Sequence, residues 1–236
     1  MKNIEVKGTV VSNDDKWIYD LLDFESVSPR EISAALEEAA GDEVTLVVNS
    51  GGGDVFAGNE INYLISQYGG HTQADIVGIA ASIATVICCG ADLVRMTAGA
   101  QYMIHNVSGS ARGDYNEMDK ASGILKNANR TISNAYRLKT GMSEKELLDL
   151  MNRETWMDAQ KALEYGFVDE VIGDNGTFGQ QKTALYNSAC FANIISEDTK
   201  RRLRDQLREH GGSADGGDIT VMRNKIKIER MRGMML

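Results

Sequence analysis

Apolar positions along the chain change their period several times, and each change marks an element. Residues 4–11 alternate between apolar and polar side chains, the period of a half-buried strand. Ser28, Pro29, Arg30 and Glu31 form a capping box with proline at the first helical position, so a helix is predicted from there to about Ala40. Residues 44–48, VTLVV, are a continuous apolar run rich in β-branched side chains, as in a strand covered on both faces. The run stops at Asn49, Ser50, Gly51, Gly52 and Gly53, which read as a glycine turn. Val55, Ile61, Leu64 and Ile65 then recur at helical spacing until Gly69 and Gly70. The layout repeats with a strand at 75–77, a turn at 78–81 and an apolar helix at 82–90.

Short strands at 93–96 and 102–105 precede a long helix at 116–140, where Met118, Ala121, Leu125, Ala128, Ile132 and Ala135 share one face. Gly141 ends it. Ser143 with Glu146 opens another helix, and Asp158 caps a last one that closes at Gly166 before a strand at 167–172. Strands alternating with helices predict an α/β domain over residues 1–173. Beyond it the pattern changes: DNGTFG and HGGSADGG flank the polar, Arg-rich stretch 197–209, which reads as a solvated helix with no specified core position. Residues 174–236 are expected to be a polar, basic appendage, part of it without fixed order.

Composition narrows the function classes. Three cysteines in 236 residues, two of them the adjacent Cys88 and Cys89, make neither a secreted disulfide framework nor a CxxC zinc pair. No apolar run approaches the ~20 residues of a membrane span, and the start MKNIEVKGTVV has no apolar signal core. A soluble protein of a reducing cytoplasm is the expectation. The net charge of −9 divides unequally: residues 1–175 hold 14 Lys and Arg against 27 Asp and Glu, and residues 176–236 hold 11 against 7. Nucleic-acid binding is therefore not expected of the acidic core, whereas the basic tail leaves a polyanion, the core itself or an acidic partner open.

Few residues offer chemistry. Ser82, in GIAASIA, lies between a buried strand and an apolar helix; it reads as a nucleophile beside the amides that open the helix, or as an ordinary N-cap. His105, in YMIHN, ends an apolar strand and is one of three histidines; it reads as a general base or as a hydrogen-bonded structural histidine. Gly51, Gly52 and Gly53 could cradle an anion, but they carry neither the Gly-Lys-Ser/Thr of a Walker loop nor the spacing of a dinucleotide fingerprint. Their amides remain oxyanion donors or a plain turn. Of the acids near the end of the domain, Asp158 is accounted for as a helix cap, and Glu154 is not.

Taken in order, VTLVVNSGGGDVFAGNEI, GIAASIA, YMIHNVSGSARGD and RETWMDAQKALEYGFVDEVI resemble the motifs of the ClpP family of serine peptidases, within the wider crotonase-like group of folds. The resemblance spans about residues 4–173. It implies a repeated β-β-α spiral core with a long handle helix, Ser82 as nucleophile and His105 as general base and acid. Glu154 stands where the family usually has Asp, and the oxyanion hole falls to the amides of Gly53 and Ile83 with Gly52 beside them. No cofactor or metal is implied. The partners implied are a polypeptide substrate and a homo-oligomeric ring, with the segment 106–113 and the long helix as the handle that joins two rings or receives substrate as an added strand.

Three departures refine that resemblance. The first strand begins almost at Met1, with no axial loop before it; Ser-Pro-Gly-Gly has become Ser50, Gly51, Gly52, Gly53, and the proline after His105 has become Val107; and some sixty residues follow Gly173. All three resemble the ATP-independent proteases of phages and prophages that mature the head by cutting scaffold or capsid protein. The alternatives are a proteolytic subunit of an ATP-dependent Clp-type complex and a catalytically idle assembly protein of the same fold. A crotonase-type acyl-CoA enzyme would leave Ser82 and His105 without a role.

Overall fold

The computed structural model describes residues 2–173 and 194–209. In chain order the elements are β1 (Lys2–Val10), α1 (Lys16–Leu21), β2 (Ser26–Val27), α2 (Pro29–Ala39), β3 (Val44–Gly53), α3 (Val55–Ser66), β4 (Thr72–Ala81) and α4 (Ile83–Cys88). They continue with β5 (Leu93–Thr97), β6 (Gln101–Ile104), α5 (Tyr115–Thr140), α6 (Glu144–Asn152), β7 (Thr155–Met157), α7 (Ala159–Glu164), β8 (Glu170–Ile172) and α8 (Glu197–Glu209). This is the α/β architecture that the alternation of strand and helix patterns predicts. Among the described residues no helix is long and apolar enough to cross a membrane.

One sheet runs β2-β1-β3-β4-β5-β8 with all neighbours parallel. The strand β4 forks: Gln73–Ile76 pair with β5, whereas Ile79–Ala81 pair with β6, which in turn carries β7 antiparallel. Helices cover the parallel strands, so Val6, Leu46, Val48, Ile76, Val94 and Met96 are fully buried, as the VTLVV run foretells. All six residues of α4 are buried, and Phe167 packs its ring against both Tyr102 and Tyr136, with centroids 5.2 and 5.5 Å away. Helix starts obey their sequence signals. Ser28 with Glu31 and Ser143 with Glu146 form capping boxes, Asp158 accepts from the Lys161 amide, and α5 opens on a further box from Asp114 and Glu117.

Four differences from the sequence expectation have local causes. The glycines after VTLVVNS continue β3, because Gly52 and Gly53 still pair with Thr9 and Val10 across a bulge at Gly8. The strand at 75–77 likewise extends to 72–81, since Gly78 leaves room for Asn49, whose Oδ1 accepts from the Ile79 amide. The helix α1 is too short to show a helical period. Finally, the stretch 197–209 is a helix as expected, yet it has a buried side: Leu203 and Lys200 are covered, and Ile195 before it packs with Ile18, Tyr19 and Leu21. The rest of the appendage lies outside the described residues.

Burial at the end of α4, where Cys88 is buried and the following Cys89 half-buried, also bears on thiol reactivity. Desolvation pushes the Cys89 thiol up to about 12 and Cys88 higher still, so neither forms a thiolate at neutral pH. Iodoacetamide at pH 7.5 is expected to leave both unmodified in the folded protein and to alkylate both in denaturant, as read by peptide mass mapping. Modification of Cys88 in the native state would contradict the packing of α4.

Candidate active site

A single residue reverses the chain between β4 and α4. Ser82 makes that turn with φ 55° and ψ −130°, a conformation costing a non-glycine residue roughly 1–3 kcal/mol. Its amide donates to Met103 O at 2.9 Å, and its carbonyl accepts from the Thr85 amide at 3.0 Å and from Thr85 Oγ1 at 2.5 Å. Tyr136 of α5 stands 2.6 Å from the same Thr85 hydroxyl. With the Thr85 proton directed at Ser82, Tyr136 must be the donor, and burial that raises its phenol keeps it protonated for that role. A buried chain thus runs from the long helix to the strained serine.

Ser82 occupies the N-cap position of α4, but its hydroxyl makes no capping bond. It lies 2.8 Å from His105 Nε2 instead, which sets aside the reading of Ser82 as an ordinary helix cap. His105 is the first residue after β6, and the pairing of Ala80 with Tyr102 and of Ala81 with Met103 brings that strand's end level with the turn. The hydroxyl and the imidazole therefore meet because neighbouring parallel strands end at the same height.

The glycine segment presses on this turn from β3. A Cβ on Gly52, whose φ is 94°, would lie 2.7 Å from both Ala81 O and Ser82 Cβ, and one on Gly53 would lie 2.1 Å from Val10 O. Ser50 anchors the segment, donating from Oγ to Gly8 O at 2.6 Å and accepting from the Gly52 amide at 3.1 Å. The Gly52 N–H is thereby engaged, and this residue's part is to permit close approach. Ile83 opens α4, where an amide has no partner within the helix.

Glu154 directly precedes β7. The register ends at the pairing of Ile104 with Thr155, so His105 and Glu154 are each the next residue beyond the last pair. Its φ of 49° bends the backbone there, and Oε1 accepts from Trp156 Nε1 at 3.2 Å. Among the described residues, the imidazole of His105 bonds only to Ser82. Asn106, next to His105, donates to Asn152 Oδ1 at 2.8 Å and so ties the end of β6 to the last residue of α6, two before Glu154.

Ser82 and His105 open into a cleft of about 650 Å³ between the end of β1 and α5. Phe56 and Ile124 stand exposed on its walls, at 84% and 68% of their surface, and Ile194, Glu197 and Lys200 complete one side. Sequence patterning gave no hint of Thr85 or Tyr136, named Ser50 only as part of the glycine motif, and offered the core only as one of three partners for the basic tail. Three are plain polar or aromatic side chains whose partners lie 42 or 51 positions away, and the tail reads as solvated.

Comparison with known proteins places the chain among relatives. The model of the family described as Clp protease matches residues 30–175. ATP-dependent Clp protease proteolytic subunits of Streptococcus pneumoniae, from strains Hungary19A-6, CGSP14 and TIGR4, are each 36% identical over 138 residues, covering 56% of this chain and 70% of theirs.

Two substitutions test how the turn is held. Gly52→Ala is expected to displace the Ser82 turn and to lower peptide hydrolysis by ~10²-fold or more, since an ångström of misplacement suffices for that. Thr85→Val removes the bond to the Ser82 carbonyl and strands the Tyr136 hydroxyl, a loss of about 1–3 kcal/mol in thermal or denaturant unfolding. An unchanged midpoint for Thr85→Val would show that the buried chain carries no weight.

Proposed function

The chain belongs to the Clp protease family, and from that premise we propose that it hydrolyses peptide bonds with Ser82 as nucleophile and His105 as general base. The observation that carries this reading is the 2.8 Å contact between Ser82 Oγ and His105 Nε2 at a strained turn. The imidazole takes the hydroxyl proton as Oγ attacks the carbonyl carbon, and the amides of Gly53 and Ile83 receive the oxyanion. On collapse the C–N bond breaks and the imidazolium returns its proton to the leaving amine. Water, deprotonated by the same imidazole, then releases the acyl group. Glu154 is the proposed third member, supported by its place next to the last β6–β7 pair, as His105 is on the other strand, and its carboxylate must turn from Trp156 to reach the imidazole.

The substrate is a polypeptide whose apolar side chains fit beside Phe56 and Ile124. We propose a phage or prophage head-maturation protease that cuts scaffold or capsid protein without an ATPase, in a bacterial cytoplasm or a prohead. The glycine in place of proline after Ser50, the valine in place of proline after His105 and the long basic tail support it. A proteolytic subunit driven by an ATPase ring is the second reading, favoured by the names of the relatives. Either way a homo-oligomeric ring is proposed, to cover Tyr115 and Leu138, which α5 leaves exposed outside the cleft.

A fluorophosphonate probe is expected to label Ser82, and Ser82→Ala to abolish both labelling and peptide cleavage; cleavage by that variant would sink the assignment. Glu154→Gln should lower kcat by at least ~10²-fold, towards the ~10⁴-fold known for an amide at the acid of a Ser-His-Asp triad. A loss under tenfold removes Glu154 from the mechanism. Degradation of a scaffold protein by the chain alone supports head maturation, and degradation only with an ATPase ring supports the second reading.

A further inference from the structure

The tail does not hang free of the cleft. Lys200 Nζ lies 2.6 Å from Asp15 Oδ2, with both side chains only 11% exposed, and Arg204 takes the other oxygen of the same carboxylate. The Ile195 amide donates to Tyr19 Oη at 3.2 Å. Ile195 and Leu203 are buried with Val11, Ile18, Tyr19 and Leu21. Asp15 is the N-cap residue of α1, yet its carboxylate makes no bond to that helix. A carboxylate this buried is costly unless a cation meets it, so α1 presents a site shaped for the tail's basic residues.

The same docking fixes where the segment enters. Ile194, Glu197 and Lys200 line the cleft that holds Ser82 and His105, and Ile194 presents an apolar side chain, 70% exposed, to the open space. An apolar side chain within the cleft that holds the nucleophile is what a polypeptide substrate would bring to it. The charges favour the arrangement before any contact is made, since residues 1–175 carry −13 and residues 176–236 carry +4.

We propose that residues 194–204 are an internal occupant of the substrate cleft, latched on Asp15 and displaced when a long polypeptide binds. The inference rests on the peptidase reading. The chain would be restrained until the latch opens, and a short probe that reaches Ser82 without crossing the α1 side of the cleft would be indifferent to it.

The test uses the full chain and the double variant Leu203→Asp/Arg204→Gln, whose side chains hold the latch but are not part of the cleft lining. Hydrolysis of a peptide of ten or more residues should rise about tenfold in kcat/KM, as a cleft-competent state goes from a minor to a major population. Fluorophosphonate labelling of Ser82 should change less than twofold. A synthetic peptide of residues 194–205 added to the variant should restore inhibition. Leu203→Asp alone, which breaks the apolar half of the latch, should behave as the double variant does. Unchanged or reduced kcat/KM in variants that still label at Ser82 overturns the latch. Failure of the unaltered chain to label at all overturns the peptidase reading instead.

Discussion

The site depends on holding one serine in a backbone conformation that it would not adopt alone. Strain at Ser82 is of the same order as a few hydrogen bonds, so it persists only where several groups oppose its relaxation at once. Met103 fixes the amide, Thr85 fixes the carbonyl, and the glycine segment of β3 blocks the space into which the turn would spread. Each restraint comes from a different element. The parallel sheet is the device that assembles them, because β3, β4 and β6 end side by side and deliver their last residues to one place.

Much of this was legible in the chain. VTLVV, the capping boxes at Ser28 and Ser143, and the apolar face of the long helix named their elements directly, because burial on both faces and amide capping leave strong local marks. Ser82 and His105 were legible as candidates through their neighbours. What the pattern hid was pairing. Glycines normally mark turns, and only the partner strand shows that Gly52 and Gly53 remain extended. The hydroxyls of Thr85 and Tyr136 carry no periodic signal, and their meeting is set by the packing of α5 on α4.

The acidic component shows the limit differently. Glu154 lies just beyond the last β6–β7 pair on its own strand's side, but its carboxylate is held by Trp156 and makes no bond to His105. A glutamate has one more rotatable bond than an aspartate, and that freedom lets it find a second partner. Position follows from sequence and register, whereas orientation depends on which neighbour offers the better donor. The tail adds a related lesson. A helix rich in arginine and lysine reads as solvated until a buried carboxylate such as Asp15 gives its cations a place to go.

The fork in β4 has a mechanical consequence. The arm made of β6 and β7 joins the main sheet through three residue pairs, Ile79 to Gln101, Ala80 to Tyr102 and Ala81 to Met103, while β3 and β4 are paired over most of their length. So short a ladder leaves the arm to be held by its side chains: Tyr102, Ile104 and Met157 are buried in the same core as the main sheet. The histidine therefore stands on an arm placed by packing and the serine on the ladder itself. The spacing of the two halves of the site is thus set by the volume of buried side chains as much as by strand pairing.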